Sequence, residues 1–237
     1  MTVDVYLEVA RKRTFAGAVE WPGWCRAGRG EADALAALLA YGRRYAAAVS
    51  AAVSATDPPF VPPDDPGRFG VVERLEGDAT TEFGAPSRAP EADSRPLDEA
   101  GLDRQLRILG AAWTALDEQA AAARGLELRK GPRGGGRDLD AILAHVLAAE
   151  TAYLSRLGAR VPPRAPGDPG VGTGLERDAV RDAVTARAHG ADPALPSRSG
   201  GRWSPRYFVR RAAWHALDHA WEIEDRATPS RGEGARP

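Results

Sequence analysis

The chain contains a single cysteine, Cys25, among 237 residues. That excludes an internal disulfide framework and any cysteine-rich zinc module. Lysine is almost absent, at Lys12 and Lys130 only, so arginine carries the basic charge. With abundant alanine, glycine and proline, this pattern reflects GC-rich coding bias, not nucleic-acid binding. Neither sign of charge dominates: 32 Lys and Arg stand against 33 Asp and Glu, a formal net charge of -1. A strongly basic nucleic-acid binder is therefore not expected. Long apolar runs are missing too. The opening MTVDVYLEVARKRTF lacks the apolar stretch of a secretory signal. Later Ala/Leu/Val stretches are broken by charge, so no membrane span is expected. A reduced cytoplasm is the expected compartment. Histidine is scarce as well, and only His145, His189, His215 and His219 occur. Any metal chemistry that uses imidazole must draw on that short list.

What is present suffices for a core. Hydrophobic residues make up 43% of the chain, and the length suits one large domain or two small ones. Residues 3–9 (VDVYLEV) and 14–20 (TFAGAVE) alternate apolar with polar, as half-buried strands do. Arg11, Lys12 and Arg13 between them read as an exposed hairpin turn, and Pro22-Gly23 ends the second strand. From about Glu31 to Ser50, apolar residues recur at three- and four-residue steps, the mark of a helix. Residues 55–68 are Pro/Asp-rich and form a loop. Residues 69–75 and 79–83 (ATTEF) could add strands, and the breaker-rich 84–96 is the best candidate linker.

The second half reads as helices. Leu102, Leu106, Leu109, Trp113, Leu116 and Ala120 form one seam within about 97–124. After a basic Gly-rich loop at 126–137, Asp138 is placed to cap a helix over about 138–157. Its seam is Leu139, Leu143, Val146, Glu150, Tyr153 and Leu157. A weaker helix covers about 175–188, and Ser204-Pro205 opens the last one, to about Arg226, with proline at the tolerated first position. The tail over 227–237 is expected to be disordered.

His215 and His219 stand four residues apart, which puts both rings on one helix face, roughly 6 Å apart along the axis. Such a pair suits metal ligation, or equally a core position with hydrogen-bonded rings. His145 lies mid-helix beside an apolar seam and could supply a third nitrogen. Three neutral imidazoles leave open coordination positions, the catalytic kind of site. The spacer Ala216-Leu217-Asp218 holds no glutamate, so the zinc-protease pattern is absent. His189 follows a weak helix and reads as solvated.

Three further residues are candidate catalytic groups. Glu222, seven after His215, falls near the same face and could orient a ligand or act as a base. Arg211, one turn before His215, could bind an anionic group or sit at the bundle mouth. Glu150 falls on a seam position that wants an apolar residue, so its carboxylate needs a partner. An arginine or a histidine ring is the expected one. The loop RKGPRGGGRD lacks the ending of a nucleotide-binding loop. Its Arg129, Lys130, Arg133 and Arg137 precede a helix N-terminus, where anions are favoured. Arg133 and Arg137 are the candidate cofactor-binding residues, although a solvated loop accounts for them as well.

The pieces HVLAAETAYL, from His145, and WHALDH, from Trp214 to His219, resemble the DinB-like superfamily. That group includes the N-terminal domain of mycothiol-dependent maleylpyruvate isomerase and the bacillithiol transferases. The resemblance covers about 97–226 and implies a four-helix bundle. It implies His145, His215 and His219 as ligands of a divalent ion (zinc, nickel or iron). It also implies transfer of a low-molecular-weight thiol such as mycothiol.

The run TFAGAVEWPGWCRAGRGEADALAAL resembles a HicB-type antitoxin core over roughly 1–50, through Pro22, Gly23, Cys25, Gly28, Glu31 and Ala32, with Trp24 inserted. The resemblance implies an interaction role for this segment.

The expected fold is therefore α+β and mainly α. A small HicB-like unit spans 1–83, a linker 84–96 and a DinB-like four-helix bundle 97–226. The expected function is a metal-dependent enzyme that activates a thiol or water, for thiol transfer to, or isomerisation of, an electrophilic small molecule. A metal-dependent hydrolase and a non-catalytic HicB-like interaction or stress-response module are the alternatives. A homodimer is a further expected assembly.

Overall fold

The computed structural model describes residues 2–50, 52–53, 59–130, 136–162, 173–195 and 201–227. Arg133, the centre of the Gly-rich loop and the tail beyond Ala227 lie outside these residues.

The N-terminal part is a sheet covered on both faces. Strands β1 (Val3–Val9) and β2 (Thr14–Ala18) pair antiparallel, with Tyr6 opposite Gly17. A side chain at Gly17 would meet the Tyr6 ring at 2.5 Å, so only glycine fits there. The chain turns at Gly23, with φ +91°, and β3 (Cys25–Gly28) adds to β2. That third strand was not expected. Helices α1 (Glu31–Ala40) and α2 (Gly42–Val49) then carry the chain across to β4 (Phe69–Glu76), which lies parallel to β1. The strand order is β3-β2-β1-β4, and a parallel neighbour requires such a crossover.

The expected single helix over 31–50 breaks at Tyr41, which leaves the helical ladder at ψ -1°. Gly42, a weak helix former, follows it, and a side chain there would stand 2.8 Å from Pro62.

All of β2 is buried, not half-buried. Ala16 and Ala18 pack with Trp24, Ala34 and Leu38 on one face. Phe15 and Cys25 pack against Trp214 on the other. Residues 79–83 form a short helix, α3 (Ala79–Phe83), and not a strand. The Asp78 carboxylate accepts from the amides of Thr80 and Thr81 at 2.8 and 3.2 Å, and the Thr81 hydroxyl accepts from the Asp78 amide at 2.8 Å. That reciprocal cap outweighs the strand propensity of the two threonines.

Residues 84–96 are fastened at two points. Glu8 is fully buried and accepts from the Ser87 amide at 3.0 Å, the Arg88 amide at 3.1 Å and the Ser87 hydroxyl at 3.1 Å. Asp93, buried in the 3-10 turn Glu91–Ser94, pairs with Arg210.

Four longer helices complete the fold: α4 (Glu99–Ala122), α5 (Leu139–Leu157), α6 (Thr173–Ala188) and α7 (Pro205–Ala227). Asp98 and Asp138 cap α4 and α5, each accepting a backbone amide at 2.8 Å. Helix α7 packs against α4, α5 and α6, and through Trp214 against Phe15 of the sheet. It is buried without interruption from Tyr207 to Leu217, as expected of a helix surrounded on all sides. The chain is thus mixed α+β with a helical majority. Polar residues on α7 are carried into the interior, where each needs a partner. No described helix is long and apolar enough to cross a membrane.

Candidate metal centre

Helix α5 presents His145, and α7 presents His215 and His219. One nitrogen from each lies within 4.8 Å of the other two. The ring centroids form a nearly regular triangle of 5.1, 5.1 and 4.7 Å. Nε2 of His145 and Nε2 of His215 are 3.3 Å apart. Two nitrogens bound to one tetrahedral zinc at about 2.0–2.1 Å are themselves roughly 3.3–3.4 Å apart. The same spacing suits an N–H···N hydrogen bond between neutral rings. Nitrogen donors of this kind suit zinc, nickel or iron.

His219 is oriented from behind. Its Nδ1 donates to Glu222 Oε2 at 2.7 Å, and Glu222 Oε1 accepts from Arg226 at 2.7 Å. Arg226 also donates to the Arg137 carbonyl at 2.7 Å, tying the end of α7 to the loop before α5. The carboxylate fixes the ring tautomer and leaves Nε2 of His219 free to act as a ligand. The hydrogen bond from His219 holds the Glu222 carboxyl below its ordinary range, against partial burial.

Burial pushes His215 down to about 2, with positive charge at His219, Arg211, His145 and Arg137 adding to it. Burial, then Arg137, lowers His145. Both rings are therefore neutral at physiological pH, the state a metal ligand requires. Nδ1 of His215 is enclosed and has no hydrogen-bond partner.

The other candidate residues fall around this centre. Arg211 lies over the Tyr153 ring at 5.1 Å, and Tyr153 lies 5.9 Å from His215. Arg137 is exposed on the rim. His189 is exposed, pairs with Glu99 at 2.9 Å and does not join the cluster. Tyr153, Trp214 and Arg226 were not singled out as site residues in the sequence. Arg226 carried a signal, since it stands one turn beyond Glu222. A cleft of about 620 Å³ opens near the start of α7, lined by Arg202, Trp203 and Tyr207 among others, and by none of the three histidines. Trp203 connects the two places, because its ring lies 5.1 Å from Tyr153.

Glu150 is placed differently from expectation. Its carboxyl accepts from the Trp113 indole N–H at 2.5 Å, not from an arginine or a histidine. Burial pushes its pKa up to about 7, against the Trp113 hydrogen bond and Arg177. An unfolded glutamate titrates near about 4.3. The neutral form is thus favoured in the fold. The stability it contributes is complete below the unfolded pKa and is lost as pH rises through about 7. Glu150→Gln is expected to be more stable than the parent at pH 8, by on the order of 3 kcal/mol, and to lose most of that advantage at pH 5. Thermal melts at the two pH values check this. An advantage independent of pH would show that Glu150 does not titrate as described.

No family model, curated protein or solved structure matches the chain.

Proposed function

We propose that the chain is a metal-dependent enzyme of the DinB-like kind, with His145, His215 and His219 as ligands of a zinc, nickel or iron ion. One observation carries this reading: three imidazoles from two helices converge at ligand spacing, and one is anchored through its far nitrogen by Glu222 and Arg226. Core histidines need no such convergence. A bound divalent ion would lower the pKa of a coordinated thiol or water. The chain's own part is to hold the rings. Glu222 sets the His219 tautomer, burial keeps His215 neutral, and Tyr153 and Trp203 supply an aromatic wall for a small electrophile. The reaction proposed is transfer of a low-molecular-weight thiol such as mycothiol to that electrophile, or its isomerisation, with hydrolysis as the alternative.

The N-terminal sheet is proposed as a HicB-like accessory unit. The Pro22-Gly23 turn, the strand at Cys25 and the helix opened by Glu31 support that reading. Cys25 is not the reacting thiol, since burial pushes it up to about 12.

Metal analysis of protein purified without a histidine tag tests the proposal. About one equivalent per chain is expected after exposure to zinc, nickel or iron, for a single three-ligand site. Content that stays far below one equivalent overturns it. Thiol-dependent consumption of an electrophile panel then tests the reaction, and no turnover with mycothiol, bacillithiol or glutathione removes the transferase claim.

A further inference from the structure

Arg211 carries a charge that no described residue neutralises. The residue is 8% exposed. Its Nη1 is enclosed without a hydrogen-bond partner. Its neighbours are aromatic faces, Trp214 at 4.5 Å and Tyr153 at 5.1 Å from the guanidinium carbon. Such contacts contribute about 0.5–2 kcal/mol, less than the several kcal/mol that burial of an unpaired ion costs. The adjacent Arg210 is equally buried but fully matched, with two bonds to Asp93 and one to each of the Ala18 and Val19 carbonyls, all at 2.7 Å. The fold completes one arginine and leaves its neighbour open.

Two more polar atoms beside Arg211 share the same lack. Trp214 Nε1 and His215 Nδ1 are enclosed and unpartnered. Arg211, Trp214 and His215 stand at i, i+3 and i+4, so they lie together on the helix surface. The guanidinium and the indole N–H can only donate. His215 Nδ1 also carries a proton whenever Nε2 serves as the ligand. What the group lacks is an acceptor. Glu222 does not supply one, because its two oxygens are committed to His219 and Arg226. Arg137 on the rim adds further positive potential and depresses both His145 and His215. A carboxylate fits, since its paired oxygens match a guanidinium fork.

We propose that Arg211 and the Trp214 indole N–H form a carboxylate-binding subsite one helical turn from the three-histidine centre, so that the enzyme's substrate is an organic acid. Calling the bound acid the substrate rests on the metal-dependent reading above. The subsite itself does not.

The test uses metal-free full-length protein, with succinate and its uncharged analogue succinamide as probes, followed by calorimetry and by tryptophan fluorescence. Succinate is expected to bind saturably and to change the fluorescence, and succinamide to bind roughly ten- to a hundredfold more weakly, the worth of a charge-assisted hydrogen bond. Arg211→Gln should weaken succinate by a similar factor, and Arg211→Lys should recover part of it. His145→Ala, which removes a metal ligand, should leave succinate affinity within about threefold. Equal binding of the two probes, or no saturable binding of succinate, overturns the subsite on the unmodified chain, even if Arg211→Gln fails to fold. Unchanged affinity in a folded Arg211→Gln does the same. Succinate binding without any metal binding supports the subsite and overturns only the metal reading.

Discussion

Replacing His215 with alanine is expected to lower metal affinity roughly 10²–10³-fold. Zinc-finger peptides bind zinc with about 10–16 kcal/mol through four ligands. One ligand in four is worth about 2.5–4 kcal/mol on that scale, which gives the stated factor at about 1.4 kcal/mol per tenfold. His215 is the ligand whose loss isolates metal binding best. Its ring is neutral across physiological pH because burial pushes it down to about 2, so its removal takes away no charge. Its Nδ1 makes no hydrogen bond, so no partner is stranded. Glu222→Gln should cost less, about 10–100-fold, the usual loss for a group that orients a ligand from behind. That order, with His215→Ala worse than Glu222→Gln and both chains folded by circular dichroism, is the diagnostic result. Competition with a chromophoric chelator measures it. Equal affinity for parent and His215→Ala would assign the three rings to core packing.

Much of this site was legible in the sequence because it is written at helical spacing. His215 and His219 share a face by their four-residue step, and Asp138 set the start of α5, which fixes where His145 points. Glu150 was legible as a misfit on an apolar seam. Its partner was not, because Trp113 belongs to another helix 37 residues away, and periodicity within one helix says nothing about pairing between two. The same limit applies to the sheet. Residue alternation marked β1 and β2, but not that β2 would be covered on both faces, nor that Glu8 would be buried under the amides of Ser87 and Arg88. Residues 79–83 read as strand from Thr80 and Thr81, whereas the outcome was decided by Asp78, just outside that window. Proline and glycine marked 84–96 as irregular backbone, correctly. Composition could not show that the segment carries the partner of a buried arginine.

That partner supports the largest expected loss of stability. Asp93 is 1% exposed and Arg210 6% exposed, and they meet through two hydrogen bonds of 2.7 Å. Asp93→Ala removes the carboxylate and leaves the guanidinium buried, with only the carbonyls of Ala18 and Val19 to hold it. Breaking a buried pair in this way costs about 3–5 kcal/mol, a large part of the roughly 5–15 kcal/mol that holds a typical domain together. The urea midpoint should fall accordingly with the slope unchanged, and the melting temperature should drop by roughly 10 °C or more. The double variant Asp93→Ala/Arg210→Met should be more stable than Asp93→Ala alone, because it removes the stranded charge and fills the space with apolar volume. The physical point is the contrast along α7. Arg210 and Arg211 are adjacent, buried to a similar degree, and opposite in their needs: one is held by the chain, the other is not. If Asp93→Ala left the midpoint unchanged, the 84–96 segment would not anchor the sheet to α7, and the buried environment assigned to this stretch of the helix would be wrong.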